Sequence, residues 1–194
     1  KHHKYAGTPD DPDIIFVKNY PVPKESLRRK FVRDLTGQTG FRDTMRKIRS
    51  FKLSRHWPWL TFHVGLLGVL TAVGAPWAYL MWWAAELFVC PAIVRLRQIG
   101  EHGTALDRTS LDPRLNTGTT VAPFWQRVLI APNDVNYHLE HHMFASIPPY
   151  RLKRLHTLLS SRGYYDEFDC ISHGYGDVIR RAIRRDAPDM VPAE

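Results

Sequence analysis

Cysteine is scarce in this chain: two among 194 residues, Cys90 and Cys170, far apart and outside any CxxC pattern. That argues against a disulfide framework and against a thiolate zinc site. Acidic residues are outnumbered, 19 Asp+Glu against 27 Lys+Arg, which leaves a formal net charge of +8. Charge of either sign is missing from one long stretch, since Glu86 is the one formal charge between His56 and Val94. The sequence also lacks internal repeats, low-complexity tracts, a glycine-rich phosphate loop and a nucleophile elbow around Ser or Cys. Repeat architectures, phosphate-loop enzymes and serine or cysteine hydrolases drop out accordingly. No signal peptide opens the chain, and Lys1 stands where Met would begin a complete one, so a truncated chain is expected.

What is present divides into two polar blocks around the apolar stretch. The mean hydropathy of −0.32 averages over this contrast and hides it. A bilayer span needs about 20 mostly apolar residues. The run from Trp59 to Val94 is too long for one such helix and long enough for two short ones. Gly74-Ala75-Pro76 marks the break, because proline cannot continue an undisturbed helix. Spans are therefore predicted near Trp59–Val73 and Trp77–Leu96. Trp57, Trp59, Trp77, Trp82 and Trp83 populate the ends, where amphipathic rings prefer the interface. Arg49, Lys52 and Arg55 precede the pair and Arg95 and Arg97 follow it, which by the positive-inside rule puts both flanks on the cytoplasmic side. The expected fold is all-α, an integral-membrane hairpin in a multi-pass chain. Its organisation would be a cytoplasmic basic segment at 1–55, two spans within 57–96 and a cytoplasmic cap at 97–194.

Amphipathic helices are expected in the polar blocks. Leu27, Phe31 and Leu35 recur every four residues, and Phe41, Met45, Ile48 and Lys52 continue the spacing after Gly37 and Gly40. With Lys and Arg on their polar faces, such helices suit the headgroup plane of an anionic bilayer. Leu152, Leu155, Leu158 and Leu159 mark another helix, opened after Pro148-Pro149 and closed by Gly163. Val178, Ile179, Ala182 and Ile183 mark the last, with Asp177 as its expected N-cap. The pI near 9.7 invites a nucleic-acid reading. The basic residues nevertheless flank the apolar run and no nucleic-acid motif appears, so no such partner is expected.

Ten histidines are unevenly placed. In His138-Leu139-Glu140-His141-His142, positions i, i+3 and i+4 share one face if the segment is helical, and three imidazoles then address one locus. That convergence is what multi-histidine metal binding requires. His2 and His3 open the chain, and His102 follows the second predicted span, after Gln98 and Glu101. His56, His63, His156 and His173 are read as ordinary solvated or core residues. HExxH is absent, and Tyr137 stands where HxxEH would need its first histidine, so zinc-protease templates do not fit. Imidazole suits iron, zinc and copper, and residue type alone leaves the metal open.

The stretch from Asn133 to His142, then Ile147-Pro148-Pro149-Tyr150-Arg151-Leu152 and Leu155-His156, resembles the third histidine box of membrane fatty acid desaturases. His2-His3-Lys4-Tyr5, with Gly7-Thr8-Pro9 and Asp11-Pro12-Asp13 after it, looks like the end of the second box. His102 within Gly100-Glu101-His102-Gly103 is similar to the extra histidine that family places after its last span. The resemblance covers nearly the whole chain. It implies a non-haem diiron centre of two iron ions, with His2, His3, His102, His138, His141 and His142 as the ligands present here, on the cytoplasmic face. The first box, the start of the second and the first pair of spans have no counterpart, so a C-terminal part, inactive by itself, is expected.

The resemblance further implies that O2 and two electrons remove two hydrogens from adjacent methylenes of an acyl-lipid or acyl-thioester substrate. Gln98, Glu101, Asp134 and Glu140, with Asp10, Asp11 and Asp13, are candidates for orienting the ligands or a metal-bound water. The basic surface suits an acidic electron donor such as ferredoxin or cytochrome b5, or membrane lipid headgroups. A membrane diiron hydroxylase of lipids, carotenoids or alkanes would share the boxes. A non-catalytic zinc-binding membrane protein is the reading from another class.

Overall fold

The computed structural model describes Tyr5, Ala6, Thr8, Asp10, Asp11 and residues 14–183. In chain order the elements are helices α1 (Ile14–Val17), α2 (Lys24–Leu35), α3 (Gln38–Arg49), α4 (Leu53–Ala72), α5 (Ala78–Gly103) and α6 (Pro113–Asn116). Strand β1 (Thr119–Val121), α7 (Phe124–Ile130), α8 (His138–Met143), α9 (Pro149–Ser160), strand β2 (Ile171–His173) and α10 (Tyr175–Ala182) follow. The chain is mostly helical, as expected. It divides into two compact units, residues 28–92 and the remainder.

Within residues 28–92, α3 carries the predicted Phe41–Met45–Ile48 spacing but ends at Arg49. Lys52 belongs to the next helix, as the N-cap of α4. The break between α2 and α3 is Gly37, left-handed at φ 82°. Gly40, expected to share in that break, instead lies inside α3 because the helix needs its bare surface. A Cβ there would come within 2.3 Å of the Leu87 carbonyl oxygen and 2.6 Å of its Cα. Backbone cannot yield as a flexible side chain can, so Gly40→Ala is expected to cost about 1–3 kcal/mol. Gly68→Ala, with nothing within 4 Å of the new methyl, leaves stability unchanged or raised. Thermal unfolding of the two variants in detergent checks this pair.

Helix α4 starts six residues before the predicted span and absorbs Pro58 near its beginning. It ends at Ala72, before Gly74, which is left-handed at φ 76°. Its apolar side chains mostly face outward, Val64 and Val69 among them, and His63 is its buried residue. His63 is a packed core histidine, as expected: Nδ1 lies 2.9 Å from the Tyr79 hydroxyl, and the ring stacks on Trp83 and tilts against Trp59. His56 accepts the Lys52 N–H at Nδ1, closing the first turn of α4. The aromatic walls of α4 and α5, with Lys47, Ile48 and Phe51, bound a cavity of about 570 Å³. Lys47 and Glu86 pair at its edge at 2.8 Å.

Helix α5 extends seven residues past the predicted end of the second span. It is 26 residues long and, among the described residues, the one helix long and apolar enough to cross a membrane. Two segments of π-helix interrupt it, Ala85–Val89 and Ile99–Gly103.

In the other unit, β1 and β2 pair in parallel, Thr119 opposite Ile171 and Val121 opposite His173. No strand was expected. Three-residue strands are too short to show alternation, and nothing local announces a partner some fifty residues away. Leu139, Tyr165 and Cys170 form a buried cluster with Met143, Leu159, Phe168 and Ile171 around it. Burial pushes the Cys170 thiol up to about 11, so it is a neutral core group rather than a thiolate ligand. Helix α9 spans the predicted leucine repeat, and Gly163 beyond it is left-handed. Asp177 is not the N-cap of α10. Gly174 holds that position, and the Asp177 carboxylate reaches back from the first turn to accept the His173 N–H at 3.0 Å while pairing with Arg181.

Candidate metal centre

The HxxHH segment is helical over α8, the condition under which its spacing puts imidazoles on one face. Asn133 and Asp134, left-handed at φ 61° and 56°, redirect the chain into it. Asn and Asp tolerate this conformation better than other side-chain-bearing residues. Asn136 then ties the approach to β1: its carbonyl accepts the Thr120 N–H at 2.8 Å and its side-chain amide donates to the Thr120 carbonyl at 2.9 Å. Opposite stands the last, π-helical turn of α5, which carries Glu101 and His102. Insertions of this kind gather at functional sites because they re-aim one side chain within an otherwise regular helix.

The two elements bring His102, His138 and His142 together, with one nitrogen from each within 4.8 Å of the others. Nε2 of His138 lies 3.0 Å from Nε2 of His102. Metal–imidazole bonds run about 2.0–2.1 Å, so two donors on one ion stand at most about 4.2 Å apart. The donor set and its spacing thus fit a transition metal with little adjustment. His102 and His138 are buried. Nδ1 of His102 is placed to donate to the Asn116 carbonyl at 3.1 Å, which favours the tautomer with Nε2 unprotonated, the form of the ring that can ligate a metal. The His141 ring lies beside the group, its centroid 5.9 Å from that of His138 and 6.2 Å from that of His142. His2 and His3 fall outside the described residues.

The expected orienting residues take different places. The Glu101 carboxylate lies 3.8 Å from Nδ1 of His138 and binds Arg97 at 3.1 Å. Gln98, half-buried one turn before His102, makes no side-chain hydrogen bond with any described residue. Asp134 turns to Arg127 at 3.6 Å rather than to an imidazole. Asp11 is buried, Asp10 is exposed and Asp13 lies outside the described residues.

Glu140 is fully buried and is the hub of the box. Its carboxylate accepts from Nδ1 of His156 at 2.6 Å, from the Tyr165 hydroxyl at 2.5 Å and from the Thr119 hydroxyl. Burial, and then the adjoining Glu140 charge, push the Tyr165 phenol far above its ordinary range, so it stays a donor. His156, read from sequence as an ordinary core or surface residue, is therefore part of the frame that holds α8. The position of His156 behind the box was the one available signal. Tyr165 and Thr119 had none.

Arg108 is a second support that sequence reading missed. Its Nη2 donates to the Gly103 carbonyl at 2.7 Å and its Nε to the His102 carbonyl at 3.2 Å, so it closes the end of α5 on which the His102 imidazole is mounted. Lysine cannot reproduce this forked pair of bonds. Arg108→Lys is expected to weaken metal retention about tenfold, within the range for groups that orient ligands. A chelator titration followed by metal analysis measures it.

No curated protein and no solved structure matches this chain. Residues 1–170, a stretch that contains α5, β1 and the α8 box, match the family model described as fatty acid desaturase. The imidazole cluster thus lies inside the matched region, on two elements that the match spans, and the chain belongs to the fatty acid desaturase family.

Proposed function

We propose that this protein takes part in O2-dependent desaturation of membrane acyl chains at a histidine-ligated diiron centre. The convergence of His102, His138 and His142 from two separate elements carries the reading. His141 and the opening His2 and His3 are assigned to the second metal position. Bound there, iron supplies the dioxygen activation and electron acceptance needed to remove two hydrogens from adjacent methylenes. The chain's share is positional: the Asn116 carbonyl holds the His102 ring and Glu140 holds α8. The buried surroundings of His102 and His138 keep bulk water from the locus.

The electrons come from an acidic carrier such as ferredoxin or cytochrome b5, drawn by the basic surface. The substrate is an acyl-lipid or acyl-thioester. Helices α4 and α5 are assigned to a membrane hairpin with the box on its cytoplasmic side. The outward-facing apolar side chains of α4 and α5, Val64, Val69, Leu80, Met81 and Val89 among them, support this. So extensive an exposed apolar surface marks a lipid or protein contact. The basic residues at both flanks support the orientation.

The test is expression of the complete reading frame in a desaturation-deficient host, with total acyl chains analysed by gas chromatography–mass spectrometry. New double bonds that vanish in His142→Ala are the expected result and report the bond position. Hydroxylated chains would reassign the outcome to a hydroxylase. Unchanged lipids from a protein that binds zinc and no iron would overturn the redox reading.

A further inference from the structure

Helix α7 is inside out. Its polar residues turn inward: Gln126 Oε1 accepts the Tyr175 N–H at 3.0 Å, and the Arg127 guanidinium faces Asp134 at 3.6 Å. Its large apolar residues point the other way. Phe124 is 74% exposed, Trp125 59%, Val128 54% and Leu129 61%. A soluble surface helix has the reverse polarity, with the apolar stripe inward.

The position of α7 says what covers that face. Helix α5 spans 26 residues, about 39 Å at 1.5 Å per residue, whereas the hydrocarbon layer takes up about 20 residues. Counted from Ala78, α5 leaves the hydrocarbon near Arg97, and Gly100 stands one turn beyond. Gly100 is the contact point for the elements that hold α7. A Cβ built there would lie 3.1 Å from the Thr120 hydroxyl and 3.4 Å from the Tyr175 ring. Thr120 belongs to β1, which ends three residues before Phe124, and Tyr175 is the residue that Gln126 grips. The strand before α7 and the anchor beneath it both sit at the level where the span emerges. Phe and Trp on the outward side suit that depth, since amphipathic aromatic rings settle at the headgroup boundary.

We infer that α7 is a membrane-interface anchor, with Phe124, Trp125, Val128 and Leu129 inserted at the boundary between headgroups and acyl chains. Arg127 is the one cation of α7 and faces Asp134 at 3.6 Å, so the helix presents no basic cluster with which to seek anionic lipid. Insertion is driven by apolar burial and is the same in zwitterionic and anionic bilayers. The inference rests on the proposed membrane placement of α5.

Spin labels placed one at a time in the full-length protein test it, in phosphatidylcholine nanodiscs and again with one third phosphatidylglycerol. The background is Cys90→Ala. Cys170 is retained because it is buried and protonated. Labels go at Trp125→Cys and Val128→Cys on α7, at Val89→Cys within the span, and at Arg162→Cys on the exposed turn after α9. Power saturation compares access of oxygen, which concentrates in lipid, with access of a water-soluble nickel chelate. The expected result is higher oxygen than nickel access at 125, 128 and 89, the reverse at 162, and no change with lipid charge. Lipid-like access at 89 with water-like access at 125 and 128 would overturn the inference alone. Exclusion of both reagents at 125 and 128 would overturn it too, since another protein surface would then cover α7. Water-like access at 89 would take down the membrane placement of α5 and the inference with it.

Discussion

Glu140→Ala is expected to lower stability by about 3–5 kcal/mol and to strip the protein of metal. The cost comes from what the substitution leaves behind. Thr119 is fully buried and Tyr165 nearly so, and both donate to the Glu140 carboxylate, as does Nδ1 of His156. A buried donor that loses its acceptor costs roughly 1–3 kcal/mol, and bonds to a charged acceptor lie at the upper end. His156 can turn toward water at modest cost, since it is partly exposed. Thr119 and Tyr165 cannot. Glu140→Gln separates charge from shape: it keeps the volume but sets an amide N–H₂ against hydroxyl donors, so it is expected to lose more than half of the same stability. For a chain of this length, 3–5 kcal/mol lowers the melting temperature by roughly 10 °C. Thermal unfolding in detergent, run with metal analysis of the same preparations, is the measurement. A Glu140→Gln protein that melts and loads metal like the parent would show that the carboxylate does not hold the box.

The helices were legible because their signals are local. Leucines at 152, 155, 158 and 159, the prolines before them and Gly163 after them were enough to place α9. The HxxHH spacing likewise implied a face shared by three imidazoles; the structure brings two of them, His138 and His142, together with His102 from α5 and leaves His141 beside the group. What escaped sequence reading was contact across distance. Glu140 meets His156 sixteen residues on, Tyr165 twenty-five on and Thr119 twenty-one back. No periodicity encodes such partners. Asp177 shows a different limit. An acid near a helix start was rightly seen, yet the same carboxylate can cap from the N-cap or reach back from the first turn, and composition does not choose between them. Gly40 read as punctuation, although its real constraint is the backbone of Leu87 against it. The length of α5 was underestimated because Arg95 and Arg97 looked like an end. They are instead the charged turn through which the helix continues to His102.

Removal of one imidazole should distinguish the two proposed metal positions. His138→Ala deletes the ring whose Nε2 lies 3.0 Å from that of His102 and whose centroid is 4.6 Å from that of His142. The two remaining imidazoles leave too few protein ligands to hold a divalent ion against water, so retention at this position is expected to fall by more than about 100-fold, beyond the loss caused by disturbing a supporting group. His141→Ala acts differently, because its ring stands outside the three-nitrogen group. It is expected to keep the ion held by His102, His138 and His142 and to lose the other, which reduces the iron content from about two per chain to about one and abolishes desaturation. His56→Ala, which removes only a ring that closes the start of α4, leaves the metal content unchanged. Inductively coupled plasma mass spectrometry on the three purified full-length variants decides among them. Loss of both ions in His141→Ala would mean that the four imidazoles form one cooperative centre, in which the triad has no independent hold on metal.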